Sequence, residues 1–95
     1  MEKQPCVYIL ASSSRSTLYV GVTSQLHQRV WQHKNHVNDS FTSKYKVHDL
    51  MYYEFFDNMN DAIYREKQLK GWRRIWKDEL ISRENPDWFD LYLTF

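Results

Sequence analysis

The stretch "VYILASSSRSTLYVGVT", residues 7–23, decides the fold. Two runs rich in β-branched and aromatic residues, 6–11 and 18–22, flank a polar "SSSRST" and predict an antiparallel hairpin. Alternation assigns the faces. Val7 and Ile9 share one face of the first strand, with Tyr8 and Leu10 on the other. In the second strand Leu18, Val20 and Val22 share a face, and Tyr19 and Gly21 lie opposite. On this reading Tyr8 and Tyr19 are either core residues or two phenols presented to a ligand. Gly21 is one of only two glycines in the chain. Inside a strand it marks a bulge, a close backbone approach, or space left beside Tyr19 for a substrate.

Working outward, Thr23 or Ser24 can cap a helix predicted over 25–37, and the polar 38–48 reads as a loop. "LMYYEFF" (50–56) is the third strand candidate. "DNMNDA" (57–62) offers caps for a second helix over 61–70, which Gly71 can end. A third helix over 72–83 stops at Asn85-Pro86. Trp72 and Trp76 read as core, and Arg73, Arg74 and Lys77 as surface. The tail, 84–95, carries too many large apolar residues for disorder and is expected to pack on the body, with a dimer contact as a second use. The order β-β-α-β-α-α gives an α+β fold, a small three-stranded antiparallel sheet flanked by helices. A chain of 95 residues reads as one domain over 1–95.

Composition narrows the classes. No apolar run approaches the roughly 20 residues that span a bilayer, and "MEKQPC" does not read as a signal peptide. The lone Cys6 cannot form an internal disulfide, which points to a reducing, cytoplasmic compartment. His27, His36 and His48 lack the spacing of a zinc site. Net charge is +1, but the first 48 residues carry six bases against two acids. "REKQLKGWRRIWK" (65–77) carries six bases against one. Such a segment is either a solvated helix face or a patch that meets phosphates.

Polar residues on apolar faces carry more information. On the first helix Leu26, Val30 and Val37 form a stripe, with His33 roughly 20° from Leu26 and Arg29 on the same flank. His36 extends that flank. On the second helix Glu66 stands inside the stripe of Ala62, Ile63 and Leu69. A buried carboxylate must be paired, protonated or bound to a cation. Both a salt bridge to Arg29 or another base and a metal ligand satisfy that requirement.

These residues together resemble the GIY-YIG endonuclease superfamily, and more closely its compact single-domain bacterial branch, the UPF0213-like proteins. "CVY" (6–8) and "YVG" (19–21) match the two signature tripeptides, with their tyrosines 11 residues apart. Arg29 in "QRVWQH" matches the superfamily arginine, His33 the histidine one turn later, and Glu66 in "AIYREKQLKGW" the metal-binding acid. "FTSKY" (41–45), "YYE" (52–54) and "REKQLKGW" (65–72) match motifs of the compact branch. The resemblance covers about 5–80. Cys6 replaces the first signature glycine, and the asparagine that follows the glutamate in several members has no counterpart; Asn85 is not assigned to it.

The resemblance implies a metal-dependent endonuclease that hydrolyses DNA, in repair, recombination or structure processing. Glu66 would hold Mg²⁺ or Mn²⁺, Arg29 would fork onto the phosphate, and Tyr8 would help deprotonate water with His33 beside it. Tyr19 would orient water or phosphate. Gly21, Lys67, Lys70, Arg73 and Arg74 are the candidate substrate contacts. Specificity would come from a second copy or a partner protein. The alternatives are a nucleic-acid-binding module that does not cut, and a protein-interaction domain that docks through Trp88, Phe89, Tyr92 and Phe95.

Overall fold

The computed structural model describes residues 3–35 and 44–95 of the chain. The expectations placed on His36, Val37 and the start of "FTSKY" lie outside the described residues. Three strands, β1 (Cys6–Ser12), β2 (Leu18–Thr23) and β3 (Val47–Phe55), form an antiparallel sheet in the order β2-β1-β3. Helix α1 (Leu26–Lys34) follows the hairpin. Helices α2 (Met59–Lys70) and α3 (Arg74–Glu84) follow β3, and a 3₁₀ turn, Leu91–Thr94, closes the tail. The predicted order holds throughout. Among the described residues, no helix is long and apolar enough to cross a membrane.

The central strand β1 is buried along its whole length, and its alternation sorts the molecule into two cores. Val7, Ile9 and Ala11 pack with Val20, Met51, Ala62, Leu69, Leu80 and Ile81. That layer is α2 and α3 on one sheet face. Cys6, Tyr8 and Leu10 pack with Leu26, Val30, Val47 and Leu50, supported by Tyr19, Tyr53, Leu91 and Tyr92. This second layer is α1 and the tail on the other face. Each large apolar side chain so buried contributes about 1.5–3 kcal/mol.

Several boundaries differ from the predicted ones. Strand β3 starts at Val47, inside the expected loop, because two register shifts break its alternation. Ile9 pairs with Tyr52 and Leu10 with Leu50, so Met51 is an extra residue and points into the same core as Tyr52. Helix α1 has Gln25 at its N-cap with no side-chain cap. Thr23 instead accepts the Gln25 N–H at 3.1 Å. Helix α2 starts earlier than predicted, at Met59, with Asn58 accepting the Asp61 N–H at 2.9 Å. Helix α3 starts at Arg74, so Trp72 lies between the helices. Trp72 packs on the core, but Trp76 is 47% exposed and is not a core residue.

The tail is tied to the body through polar anchors. The buried Asn85 donates to Met51 O at 3.1 Å and Phe89 O at 2.8 Å, and accepts from Phe89 N at 3.1 Å. Asp90 accepts from Leu50 N at 2.9 Å, Tyr92 N at 3.1 Å and Lys34 Nζ at 2.6 Å. Asn85 is thus a structural residue.

Candidate active site

The hairpin register sets Tyr8 directly opposite Gly21, and Leu10 opposite Tyr19. Tyr8, Tyr19 and Gly21 therefore share the face that α1 covers. A Cβ on Gly21 would stand 2.5 Å from both Cζ and Oη of Tyr8, and 3.0 Å from Cε2 of Tyr19. The absent side chain is what lets the Tyr8 phenol lie across β2. The space over Gly21 is thus taken by Tyr8 rather than left for a substrate, which corrects the expectation of a substrate contact there.

Helix α1 supplies the third member. With Leu26 and Val30 buried against the sheet, His33 falls on the same inward stripe and is buried too. Its Nε2 and the Tyr8 hydroxyl form a buried hydrogen bond of 2.9 Å. The His33 ring lies 5.7 Å from the Tyr8 ring and 5.4 Å, edge-on, from that of Tyr19. The two tyrosine rings are 6.3 Å apart. Tyr8 and His33 are sealed from solvent, whereas Tyr19 is only half-buried. Of the two signature tyrosines, Tyr19 is the one that keeps some exposure.

Arg29 lies one turn before His33 on α1 and is half-buried. Its guanidinium donates to Gln32 Oε1 at 3.2 Å. It lines a shallow polar groove with Thr23, Ser24, Gln25, Gln28 and Gln32. A guanidinium has the paired donors that fork onto an anion such as phosphate. Gln28 and Gln32 were missed in the sequence, although their spacing around Arg29 on one helix was the available signal.

Glu66 comes from the other layer. Ala62 and Leu69, on either side of it in α2, are buried in the core beneath the opposite sheet face. The helix packs on β2 and β1, and β2 is the edge strand. Glu66 therefore stands on the helix that covers the sheet face opposite Tyr8, Tyr19 and His33. Its side chain is only 15% exposed, and Oε2 pairs with Lys70 Nζ at 3.1 Å. The base that meets it is Lys70, and the alternative of Arg29 is set aside. Among the described residues no group of three or more His, Cys, Asp and Glu gathers as a metal cage. One hard carboxylate fits Mg²⁺ or Mn²⁺ where water and substrate oxygens complete the shell.

The basic segment 65–77 divides. Lys67 and Arg73 are exposed, and Arg73 covers the Trp76 ring at 5.7 Å. Lys70 is exposed beyond its pair with Glu66. Arg74 is exposed and also engaged within the protein. It donates to Asp78 at 2.6 Å and to the turn carbonyls of Ser16 and Arg15 at 2.8 Å and 2.5 Å. Arg65 donates to Glu54 at 3.1 Å, and Glu54 also accepts from the Tyr52 hydroxyl at 3.1 Å. That bond joins the "YYE" and "REKQLKGW" motifs, so these two are tied by structure. Burial and the Glu54 carboxylate push the Tyr52 phenol up to about 12, and burial pushes the Cys6 thiol up to about 12.

Residues 4–80 match the family described as the GIY-YIG catalytic domain. The chain is also similar to several UPF0213 proteins. That of Clostridium perfringens is 37% identical over 83% of this chain and 84% of its own length. That of Natronomonas pharaonis is 32% identical over 82% and 91%, and that of Oceanobacillus iheyensis is 31% identical over 92% and 100%. The resemblance therefore extends beyond bacteria to an archaeon. No solved structure gives a significant match.

Proposed function

The chain belongs to the GIY-YIG catalytic-domain family, a family of nucleases, and from that membership we propose that it is a metal-dependent endonuclease hydrolysing DNA phosphodiester bonds. The observation that carries the reading is the hydrogen bond between Tyr8 and His33 at the back of a half-open Tyr19, one helical turn from Arg29.

Exposure divides the labour. A base or water-orienting group must touch water, and Tyr19 does so more readily than the sealed Tyr8. We therefore assign Tyr19 to the reacting water and Tyr8 to a positioning role, and this departs from the role that resemblance gave Tyr8. His33, held by the Tyr8 hydroxyl, turns its ring edge against Tyr19 and fixes that phenol's orientation. Arg29 would fork onto the phosphate, where a lysine would give only a point charge. Glu66 would hold a divalent ion, which when bound would stabilise charge on the phosphate and the leaving oxygen. Lys67 and Arg73 add exposed positive charge along α2 and the start of α3.

The test is incubation with duplex, flapped, branched and single-stranded DNA, and with RNA, in Mg²⁺, Mn²⁺ or EDTA. Cleavage that requires a divalent ion, Glu66 and Tyr19 is expected. Salt-sensitive retention without cleavage would instead make the chain a binding module, and neither result would leave an interaction domain.

A further inference from the structure

Two grooves meet at Ser24 and Gln25, where β2 passes into α1. One is the polar groove that contains Arg29. The other, of about 420 Å³, is walled by Leu26, His27, Phe55 and Phe95 and includes Gln4 and Gln25. Its two phenylalanines are 46% and 53% exposed, which core packing does not explain. Phe95 is nonetheless held in place. Its ring lies 5.5 Å from His27, 5.8 Å from Tyr92 and 6.0 Å from Tyr53, and His27 itself stacks on Tyr92 at 5.0 Å.

Fixed aromatic faces beside side-chain amides form the combination that holds a nucleobase. The rings stack on its π-faces, and the amides pair with its hydrogen-bonding edge. We propose that this pocket receives one unpaired nucleobase from the strand whose phosphate lies at Arg29. The proposal rests on the nuclease reading and narrows its substrate. Grooves that share two residues lie within reach of one nucleotide. A base inside a duplex has both faces stacked and its edge paired, so only an extruded or single-stranded base can enter. The substrate class is DNA with an unpaired nucleotide beside the cut, such as a flap, a bulge or a loop.

The test uses the full chain in EDTA, which suppresses cutting, with duplexes carrying 2-aminopurine either unpaired or paired at one position. An abasic residue at the same position is the control. Quenching of the unpaired base alone is expected, with the abasic duplex bound about tenfold more weakly, the scale of one base–aromatic stack. Phe55→Ala and Phe95→Ala should each erase that difference. Equal binding of unpaired, paired and abasic duplexes by the unaltered chain would overturn the pocket and leave the nuclease reading standing. So would a preference that survives both substitutions, or a Phe95→Ala change seen only as a shift from dimer to monomer in sedimentation. Absence of both DNA binding and metal-dependent cleavage would remove the two together.

Discussion

The Tyr8 hydroxyl and Nε2 of His33, 25 positions apart in sequence, meet at 2.9 Å with both side chains shut away from solvent. The neighbouring Tyr19 stays partly open. The signature tyrosines are therefore not equivalent, and their phenylalanine variants should separate. Tyr8→Phe removes a buried hydrogen bond to His33 and should destabilise the fold by about 1–3 kcal/mol. Tyr19→Phe should leave stability within about 0.5 kcal/mol yet slow cleavage at least about a hundredfold. Thermal melts and single-turnover rates measure the pair. A Tyr19→Phe enzyme that cuts at the original rate would end the assignment.

Gly21 is reserved for the Tyr8 ring. Gly21→Ala puts a methyl 2.5 Å from that phenol and should cost about 1–3 kcal/mol through overpacking. In a Tyr8→Val background that collision disappears and only the 3.0 Å approach to Tyr19 Cε2 remains, so the same substitution should cost markedly less. A double-mutant cycle measures the coupling. Equal penalties in the two backgrounds would contradict the packing described.

Glu66 and Lys70 make a half-exposed pair, which contributes at most about 1 kcal/mol. Lys70→Ala should therefore barely move the melting temperature. It should lower the Mg²⁺ concentration needed for half-maximal cleavage, because a competing cation has gone. Glu66→Gln should abolish Mg²⁺-dependent cleavage while preserving the melt. Activity that survives Glu66→Gln at every metal concentration would exclude this carboxylate as the ligand.

Two raised groups set the alkaline limit. The Tyr52 phenol and Cys6 thiol, ordinarily near 10 and 9, both stand at about 12 in the folded chain. The unfolded chain thus loses these protons first. Stability is complete below about pH 9 and should fall as pH rises toward 12. Tyr52→Phe should flatten the upper part of that fall, and Cys6→Ala should flatten the portion that starts lower. Urea melts across the alkaline range read both. At neutral pH Cys6 should resist thiol reagents until the protein unfolds.

The hairpin was legible because 6–11 and 18–22 are β-branched and aromatic runs about a polar turn, and its faces because side chains alternate along a strand with period two. The same rule placed Tyr8 and Tyr19 together, but it cannot say what covers a face. The burial of Tyr8 depends on α1 and on a tail more than 70 residues away, so it was not readable locally. The start of β3 was missed for a comparable reason. Extra residues at His48 and Met51 break the period that marks a strand. Glu66 stood out in its stripe, and its partner proved to be a neighbour one turn along the same helix. The aromatic pocket draws on Gln4, His27, Phe55 and Phe95 and leaves no contiguous trace in the chain.

Asp90 fastens the end of α1, the middle of β3 and the final turn to one another through a single carboxylate. It lies ten positions past the segment that the family match covers, residues 4–80. Trimming the protein back to its signature region would undo all three fastenings and strip the lid from the layer that encloses Tyr8. The smallest portion able to keep that phenol dry is therefore longer than the motif by which it is recognised.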